Sequence, residues 1–233
     1  MKKTKVITMA LVAMLSAGFC ACEKDGNDQS TVTDDSSNWV DLGLPSGIKW
    51  AVCNVGATSP TDYGNYYAWG ETSPKGVYDW STYRYCEYDG NNSFGWNALI
   101  KYCNSSSYGY DGFTDSLTTQ QSGDDAATAN YGGRTPTQAE WQELIGNTTH
   151  QWDTINGVKG QRFTGSNGNS IFLPAAGSRS GSDLYGAGND GYYWSSSLYT
   201  AAPRSAYYCY FGIGGVGMYD SGRDGGLPVR AVR

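Results

Sequence analysis

The side chains able to do chemistry in this 233-residue chain are few, and their spacing matches no catalytic pattern. His150 is the sole histidine, and no serine or cysteine motif accompanies it, so a nucleophile would lack its base. The run Ser195–Ser197 follows a tryptophan and lacks the G-x-S-x-G sequence of a nucleophile elbow. Asp124 and Asp125 directly precede a short helical segment, where carboxylates commonly cap the helix. The residues therefore indicate a protein that is not an enzyme.

Cysteine usage points to neither a zinc ribbon nor a thioredoxin-type centre. Four cysteines follow residue 22, no C-x-x-C occurs among them, and one histidine cannot form a multi-histidine site. We therefore expect no cofactor and no functional metal, while a structural cation stays open. Export makes disulfides possible, and Cys86 and Cys103, which each follow a tyrosine, are the expected pair. Cys53 stands in an apolar run and is expected to be a buried thiol, whereas Cys209 is left unassigned.

The N-terminus carries the residues needed for covalent lipid attachment. Lysines precede the apolar run Val6–Phe19, which is typical of a secretory signal and is shorter than the roughly 20 residues of a membrane-spanning helix. Cys22 follows the small residue Ala21, whereas Cys20 follows the bulky Phe19. Cys22 is therefore the expected site of diacylation, and cleavage of the signal without lipidation is the alternative.

These signals divide the chain into three parts. Residues 1–21 are the expected lipoprotein signal peptide. Residues 22–38 are rich in Asp, Ser, Thr and Gly, which is typical of a flexible tether. Residues 39–233 form the expected folded domain, in which no apolar stretch approaches spanning length, so we expect membrane contact through the lipid anchor alone.

Composition favours a turn-rich, mostly β domain with two short helices. Glycine contributes 32 residues and tyrosine 19, whereas only 16% of residues are charged, against ~25% in an average soluble protein. One helix is predicted over Thr137–Ile145, because Thr137 and Glu140 form a capping box before apolar residues at helical spacing. Gly146-Asn147 should end it in a left-handed cap. A second helix is predicted over Asp125–Tyr131.

Short extended segments and turns account for the rest of the domain. Asn156-Gly157 and Asn167-Gly168 predict hairpins, since both residue types accept positive φ. Residues 87–123 are predicted to be irregular, with a short helix near Ala98–Tyr102. The predicted strands are 39–42, 48–52, 66–69, 151–155, 160–164, 170–173, 192–195 and 228–232.

Several colinear strings resemble a known family over nearly all of residues 39–233. The family is the FISUMP family of envelope lipoproteins. The strings that resemble it are VDLGLPSGIKWAVCNVGA at 40–57, DYGNYYAWGET at 62–72, GGRTPTQAEWQEL at 132–144, NSIFLPAAG at 169–177, YYWSSS at 192–197 and the final VRAVR. RTPTQAEW also resembles a helix start of formylglycine-generating-enzyme-type domains. The resemblance implies an α+β, C-type-lectin-like fold with two short helices and small antiparallel sheets. It also implies the outer membrane or surface of a Gram-negative bacterium.

The same resemblance argues against two activities of related folds. Formylglycine-generating enzymes rely on cysteines near the C-terminal end, where this chain has only Cys209. Calcium-dependent lectins use Glu-Pro-Asn and Trp-Asn-Asp strings, which are absent from this sequence. The resemblance therefore implies a binding protein that is neither a formylglycine-generating enzyme nor a calcium-dependent lectin.

Some proteins of this wider fold family are variable proteins of diversity-generating retroelements, in which adenines of Asn codons near the 3′ end are randomised. Such codons never yield Met, Trp, Gln, Lys or Glu. These five residue types make up 32 of the 233 residues. The segment Leu198–Gly226 has 29 residues and should therefore contain about four of them, but it contains only Met218. Two interpretations stay open: a diversified binding segment, and an ordinary Gly/Tyr-rich β segment.

The C-terminal segment is the expected ligand-binding face of a surface-displayed protein. Tyrosine gives large contact area with few rotors, and intervening Gly and Ser add adaptability, as in antibody paratopes. The expected solvent-facing binding residues are Tyr199, Arg204, Tyr208, Tyr210, Tyr219, Asp220, Ser221 and Asp224. Trp194, Phe211 and Leu227 are expected in the core, and Val216 and Met218 should face inward.

The sequence leaves the ligand open between a protein and a glycan at the cell surface. Two other functions also stay open. One is a structural adhesin or envelope component whose Tyr/Gly tail makes fixed packing contacts. The other is a carbohydrate-binding accessory module that stacks sugars on exposed aromatic rings. The formal net charge of −6 argues against a nucleic-acid partner.

Overall fold

Both predicted helices are present; the later one begins at its predicted capping residue, whereas the earlier one begins one residue later than predicted, with Asp125 as its cap. Helix α1 spans Ala126–Asn130, and the carboxylate of its N-cap Asp125 accepts a hydrogen bond from the first turn at 2.9 Å. Helix α2 spans Gln138–Asn147 behind the capping box. There Thr137 Oγ1 accepts from Glu140 N at 3.2 Å, and a Glu140 carboxylate oxygen accepts from Thr137 N at 2.8 Å. Local sequence therefore sets both helix starts.

The end of helix α2 differs from the prediction. The helix continues through Gly146 and Asn147, and its C-cap Thr148 is already extended, so the chain passes directly into a strand. The left-handed cap predicted there is not formed. Trp141 and Leu144 are fully buried, as the helical spacing predicted.

The computed structural model describes residues 38–87 and 96–233. Strand pairing between its named strands is antiparallel throughout. In chain order the strands are β1 Trp39–Asp41, β2 Lys49–Asn54, β3 Tyr66–Tyr67, β4 Thr148–Ile155, β5 Val158–Gly165, β6 Ser170–Pro174, β7 Ser178–Ser180, β8 Asp183–Tyr185, β9 Gly191–Leu198, β10 Ser205–Gly212, β11 Gly215–Gly222, β12 Leu227–Pro228 and β13 Arg230–Val232.

The strands form several small antiparallel sheets, which with two short helices fit an α+β or a mostly β, irregular fold for the described domain. Strand β2 lies between β1 and β13, so the two ends of the domain share one sheet. The meander β4-β5-β6 contains both predicted hairpins, and Asn156 adopts a φ of 51° at the first turn. A second meander, β9-β10-β11, carries the C-terminal segment, with β11 as its edge strand. Two-stranded pairs β3-β12 and β7-β8 complete the set.

Two aromatic-rich core clusters lie on opposite sides of the β9-β10-β11 sheet. Cluster one contains Trp69, Tyr102 and Trp194, and cluster two contains Trp141 and Tyr193 with Phe211, all fully buried. Because successive side chains of a strand point to opposite faces, neighbouring Tyr193 and Trp194 enter different clusters. This sheet is therefore supported from both sides along β9.

The predicted helix near Ala98–Tyr102 is wrong. Leu99 forms isolated bridges with Cys86 and Gly109, and Tyr102 has a φ of 55°, which ends any regular repeat. The Asp115 carboxylate accepts hydrogen bonds from the backbone N–H of Tyr102 and of its successor, at 2.8 and 3.0 Å. Side-chain and long-range partners thus replace the helical hydrogen bonds.

The predicted Cys86–Cys103 disulfide is also wrong. Cys103 remains a thiol, and its Sγ donates to the carbonyl of Ser105 at 3.2 Å. Burial raises the pKa of the Cys103 thiol, and burial also raises that of Cys209. Cys53 is fully buried in β2, as its apolar neighbours predicted. Similar Tyr-Cys sequences did not encode the close approach that a disulfide requires.

The predicted signal peptide, Cys22 and the tether up to residue 37 lie outside the described residues. Strand β1 begins at Trp39. In the described part of the chain, no helix has the length and apolar character required to cross a membrane.

Candidate functional site

Four tyrosines on one side of the β9-β10-β11 sheet form a closed ring of contacts, which we call the tyrosine platform. They are Tyr192 on β9, Tyr208 and Tyr210 on β10, and Tyr219 on β11. Tyr192 lies 5.7 Å from Tyr208 and 5.3 Å from Tyr210 between ring centroids, and Tyr219 lies 6.2 Å and 5.8 Å from the same two. These distances fall within the range of favourable aromatic pairs. The platform is thus a continuous aromatic surface.

Strand register explains how the four rings meet. Tyr210 pairs with Tyr192 on one side and with Gly217 on the other, and Tyr208 pairs with Tyr219. A Cβ at Gly217 would stand 3.2 Å from the Tyr219 ring. The missing side chain therefore lets the Tyr219 ring lean across towards Tyr210.

The platform is anchored from below and open above. Tyr192 and Tyr208 are half-buried against cluster one, and the Trp194 ring meets Tyr208 edge-on at 6.4 Å. Tyr219 is 54% exposed. Tyr208 is therefore partly exposed, and the rest of its ring packs against a core cluster.

Three phenols of the platform, those of Tyr192, Tyr208 and Tyr210, have raised pKa values and are neutral hydrogen-bonding groups at physiological pH. The Tyr210 hydroxyl donates to Asp190 Oδ1 at 2.8 Å, and this bond, with burial, raises the pKa of Tyr210 to about 12. Burial raises the pKa of Tyr208 to about 12 as well. Burial also raises the pKa of Tyr192, with a further contribution from the Asp190 charge. These three tyrosines therefore offer apolar ring faces with uncharged hydroxyls.

A cleft of about 300 Å³ lies near one end of β10 and β11, where Ser205 pairs with Gly222. We call it the tryptophan cleft; it is lined by Trp80, Trp96, Arg204, Ser205, Asp220, Ser221 and Gly222. The Arg204 guanidinium stacks 5.1 Å from the centroid of the Trp96 ring. Within residues 38–87 and 96–233, neither Arg204 nor Asp220 makes a side-chain hydrogen bond or an ion pair. Both polar groups are therefore available to a ligand.

Trp80 is held in the cleft wall by a short 3₁₀ helix, Trp80–Thr82. Its N-cap Asp79 accepts a hydrogen bond from Thr82 N at 3.1 Å, and the Thr82 side chain closes a capping box. The indole meets the ring of Tyr83 edge-on at 5.4 Å. Local capping and one aromatic contact therefore fix the position of this wall.

The buried Arg223 connects both sides of the cleft. Its Nε donates to the Tyr83 hydroxyl at 2.8 Å, and its Nη atoms donate to the carbonyls of Lys101, Tyr102 and Pro203 at 2.8–3.0 Å. The rings of Trp69, Tyr83 and Tyr102 surround it, 5.0–5.8 Å from the guanidinium. Pro203 directly precedes Arg204, and Tyr83 directly follows the 3₁₀ helix. One side chain therefore positions both walls.

The predicted binding residues divide into three groups. Tyr208, Tyr210 and Tyr219 meet in the platform, and Arg204, Asp220 and Ser221 meet in the cleft. Tyr199 and Asp224 lie in neither: the half-buried Tyr199 packs edge-on against Tyr207 at 5.3 Å, and burial raises the pKa of Asp224 to about 6. The residues that sequence reasoning missed are Trp80, Trp96, Tyr192 and Arg223.

The expected core residues of the segment lie as predicted. Trp194, Phe211 and Leu227 are buried. Val216 and Met218 are partly buried and pack against cluster two. The apolar side chains of Val216 and Met218 therefore identified the inward side of β11 correctly.

The other side chains considered for chemistry have structural partners. Asp125 accepts hydrogen bonds from Thr135 N and Oγ1, besides capping α1. Asp124 accepts from the hydroxyls of Tyr85 and Tyr102 and pairs with Lys101. No group of three His, Cys, Asp or Glu side chains that could hold a metal occurs among the described residues.

Comparison with protein-family models, with curated proteins and with solved structures finds no match to this chain.

Proposed function

We propose that this protein is a ligand-binding protein displayed at the cell surface, held by a diacylated Cys22, with its C-terminal segment as the binding face. The observation that carries this proposal is the tyrosine platform. Four tyrosines share one side of a sheet, where Tyr219 is exposed, and the next residue of β11 on that side, Ser221, lines a cleft. The charged groups of this cleft make no side-chain hydrogen bond or ion pair in the described part of the chain, although Arg204 stacks on the Trp96 ring.

The platform has the properties of an energetic anchor for binding. Tyrosine and arginine are among the residues in which binding energy concentrates. The rings of Tyr192 and Tyr208 are already packed on cluster one, and the Tyr210 hydroxyl is already bonded to Asp190. Binding therefore immobilises few additional rotors, which lowers its entropic cost.

A C-type-lectin-like fold is part of the proposal. Its support is the sequence resemblance together with the α+β architecture, in which the first strands and the last strand share a sheet. The position of Met218 supports retroelement diversification of the segment. This one residue of an excluded type packs against cluster two, whereas Tyr219 and Asp220 are exposed. Sequencing the neighbouring DNA tests the idea: a reverse-transcriptase gene and an adenine-rich near-copy of the 3′ end are expected.

The binding face is tested with one variant and one matched control. A ligand is first selected by screening the full-length protein on cells against displayed surface proteins and glycans. Tyr219→Ser should then weaken binding at least tenfold, since a central aromatic anchor is lost. Tyr185→Ser on β8 is the control, because Tyr185 is 55% exposed, against 54% for Tyr219. Equal affinities of the two variants for the selected ligand would contradict the proposal.

A further inference from the structure

We infer that the tryptophan cleft is a binding site for an uncharged sugar ring, the terminal unit of a neutral glycan. This inference rests on the proposed function and deepens it, since it names the ligand class. It depends on the cleft residues Trp80, Trp96, Arg204, Asp220 and Ser221 and not on the platform.

The cleft walls offer apolar faces to a flat, partly apolar ring. Trp80 and Trp96 are half-buried, and each is held from behind, by Tyr83 at 5.4 Å and by Tyr108 at 5.9 Å. Gly222 also lines the cleft, and a Cβ there would stand 2.6 Å from an Asp224 carboxylate oxygen and 3.9 Å from the Trp80 ring, so a side chain at this position would crowd the cleft. The C–H face of a sugar ring suits such a wall, because it buries apolar surface without desolvating hydroxyls.

The polar groups of the cleft suit hydroxyls. Arginine only donates hydrogen bonds, a carboxylate only accepts them, and a serine hydroxyl does both. Arg204 and Asp220 have no side-chain hydrogen bond or ion pair within the described residues, and Ser221 lines the same cleft. A sugar hydroxyl both donates and accepts, so adjacent hydroxyls satisfy this set together.

The charges of the cleft favour a ligand without net charge. An acidic sugar would be attracted by Arg204 but repelled by Asp220. A basic ligand would be attracted by Asp220 but repelled by Arg204. Arg204 is also partly engaged by the Trp96 ring. A neutral ligand forms hydrogen bonds with both groups and brings no further charge into the cleft.

Size and position favour a glycan end over a large ligand. At about 300 Å³ the cleft lies at the low end of ligand-binding cavities. Ser221 and Tyr219 lie two residues apart on β11 and so point to the same side, about 7 Å from each other. The second and third units of a glycan can therefore continue from the cleft onto the ring faces of the platform.

The test measures binding of full-length protein in detergent to an array of neutral, acidic and basic oligosaccharides, with tryptophan fluorescence as a second readout. Neutral glycans should bind and protect tryptophan from acrylamide quenching. Trp80→Ala should weaken this binding at least tenfold. Asp220→Asn, a surface change that should not alter the fold, should weaken neutral glycans and improve acidic ones. Asp183→Asn on the exposed β7-β8 hairpin is the matched control and should bind like the wild type.

Two results would overturn the inference. One is the absence of binding to any neutral glycan. The other is unchanged glycan affinity in Asp220→Asn and in a Trp80→Ala protein that melts cooperatively. A peptide or protein ligand that needs Tyr219 but tolerates Asp220→Asn and Trp80→Ala would overturn this inference and leave the proposed function in place. Unchanged binding of every ligand in Tyr219→Ser would count against the proposed function instead.

Discussion

Replacing Arg223 with methionine should destabilise the domain severely, although the residue lies between glycine and aspartate in a polar stretch. Arg223 is fully buried, and its guanidinium donates to one hydroxyl and three carbonyls. Methionine fills similar space but leaves those acceptors unpaired. Each hydrogen bond to a charged group contributes about 1.5–3 kcal/mol, and an orphaned buried group costs about 1–3 kcal/mol.

These contributions share one side chain and do not add in full. We therefore expect Arg223→Met to lower the free energy of unfolding by about 3–5 kcal/mol, near the upper end of single-residue effects. For a domain of this size that corresponds to a melting temperature lower by roughly 6–20 °C. Arg204→Met, at an exposed arginine close to the same site, should change the free energy of unfolding by less than about 0.5 kcal/mol.

Urea unfolding of the two variants, followed by tryptophan fluorescence, measures this difference, and equal m-values would show that only stability changed. Arg223→Lys is a useful third variant, because it keeps the charge but cannot reach four acceptors from one planar group. The reasoning would be refuted if Arg223→Met unfolded within about 0.5 kcal/mol of the wild type, since the buried network would then contribute nothing.

Three further predictions concern the core, the pH dependence and the anchor. Trp141→Ala should lower the free energy of unfolding by about 3–5 kcal/mol and Thr137→Ala by about 1 kcal/mol, measured in urea; equal losses would contradict the separate core and capping roles. Because burial raises the pKa of Asp224 to about 6, the folded state binds its proton more tightly. This stabilisation is complete below about pH 4 and is lost as the pH rises through 6, which lowers the free energy of unfolding by up to about 3 kcal/mol. Asp224→Asn should remove this pH dependence of the free energy of unfolding. Mass spectrometry should find a diacylated N-terminal Cys22, and Cys22→Ala should lose membrane attachment; an unmodified native N-terminus would contradict this.

Elements set by neighbouring residues could be predicted from the sequence. The capping box at Thr137 and the Asn156-Gly157 turn act within a few residues, and the structure has both. The inward side of β11 was likewise predicted from local information, the apolar side chains of Val216 and Met218. The helix near Ala98–Tyr102 failed because Asp115, more than ten residues away, takes the backbone N–H groups that a helix would use.

The candidate site was predicted in part, because it combines local and long-range contributions. Tyr208, Tyr210 and Tyr219 come from one hairpin. Tyr192 joins them only because the register between β9 and β10 pairs it with Tyr210, and this register could not be predicted from the sequence. Trp80 and Trp96 reach the cleft from segments more than one hundred residues away in sequence from Arg204. No pattern in the sequence distinguishes Arg223 from a surface arginine, since its partners are carbonyls of remote loops.

On strand β11 the side chains that pack on the core and the proposed binding residues Tyr219 and Ser221 point to opposite sides. Val216 and Met218 hold its inner side on cluster two, while Tyr219 and Ser221 face the platform and the cleft. Most outward substitutions should therefore alter recognition with little loss of stability. Gly217 is an instructive exception, because a Cβ there would stand 3.2 Å from the Tyr219 ring. A side chain at Gly217 requires the Tyr219 ring to shift by a few tenths of an ångström, so a residue outside the four rings alters the platform.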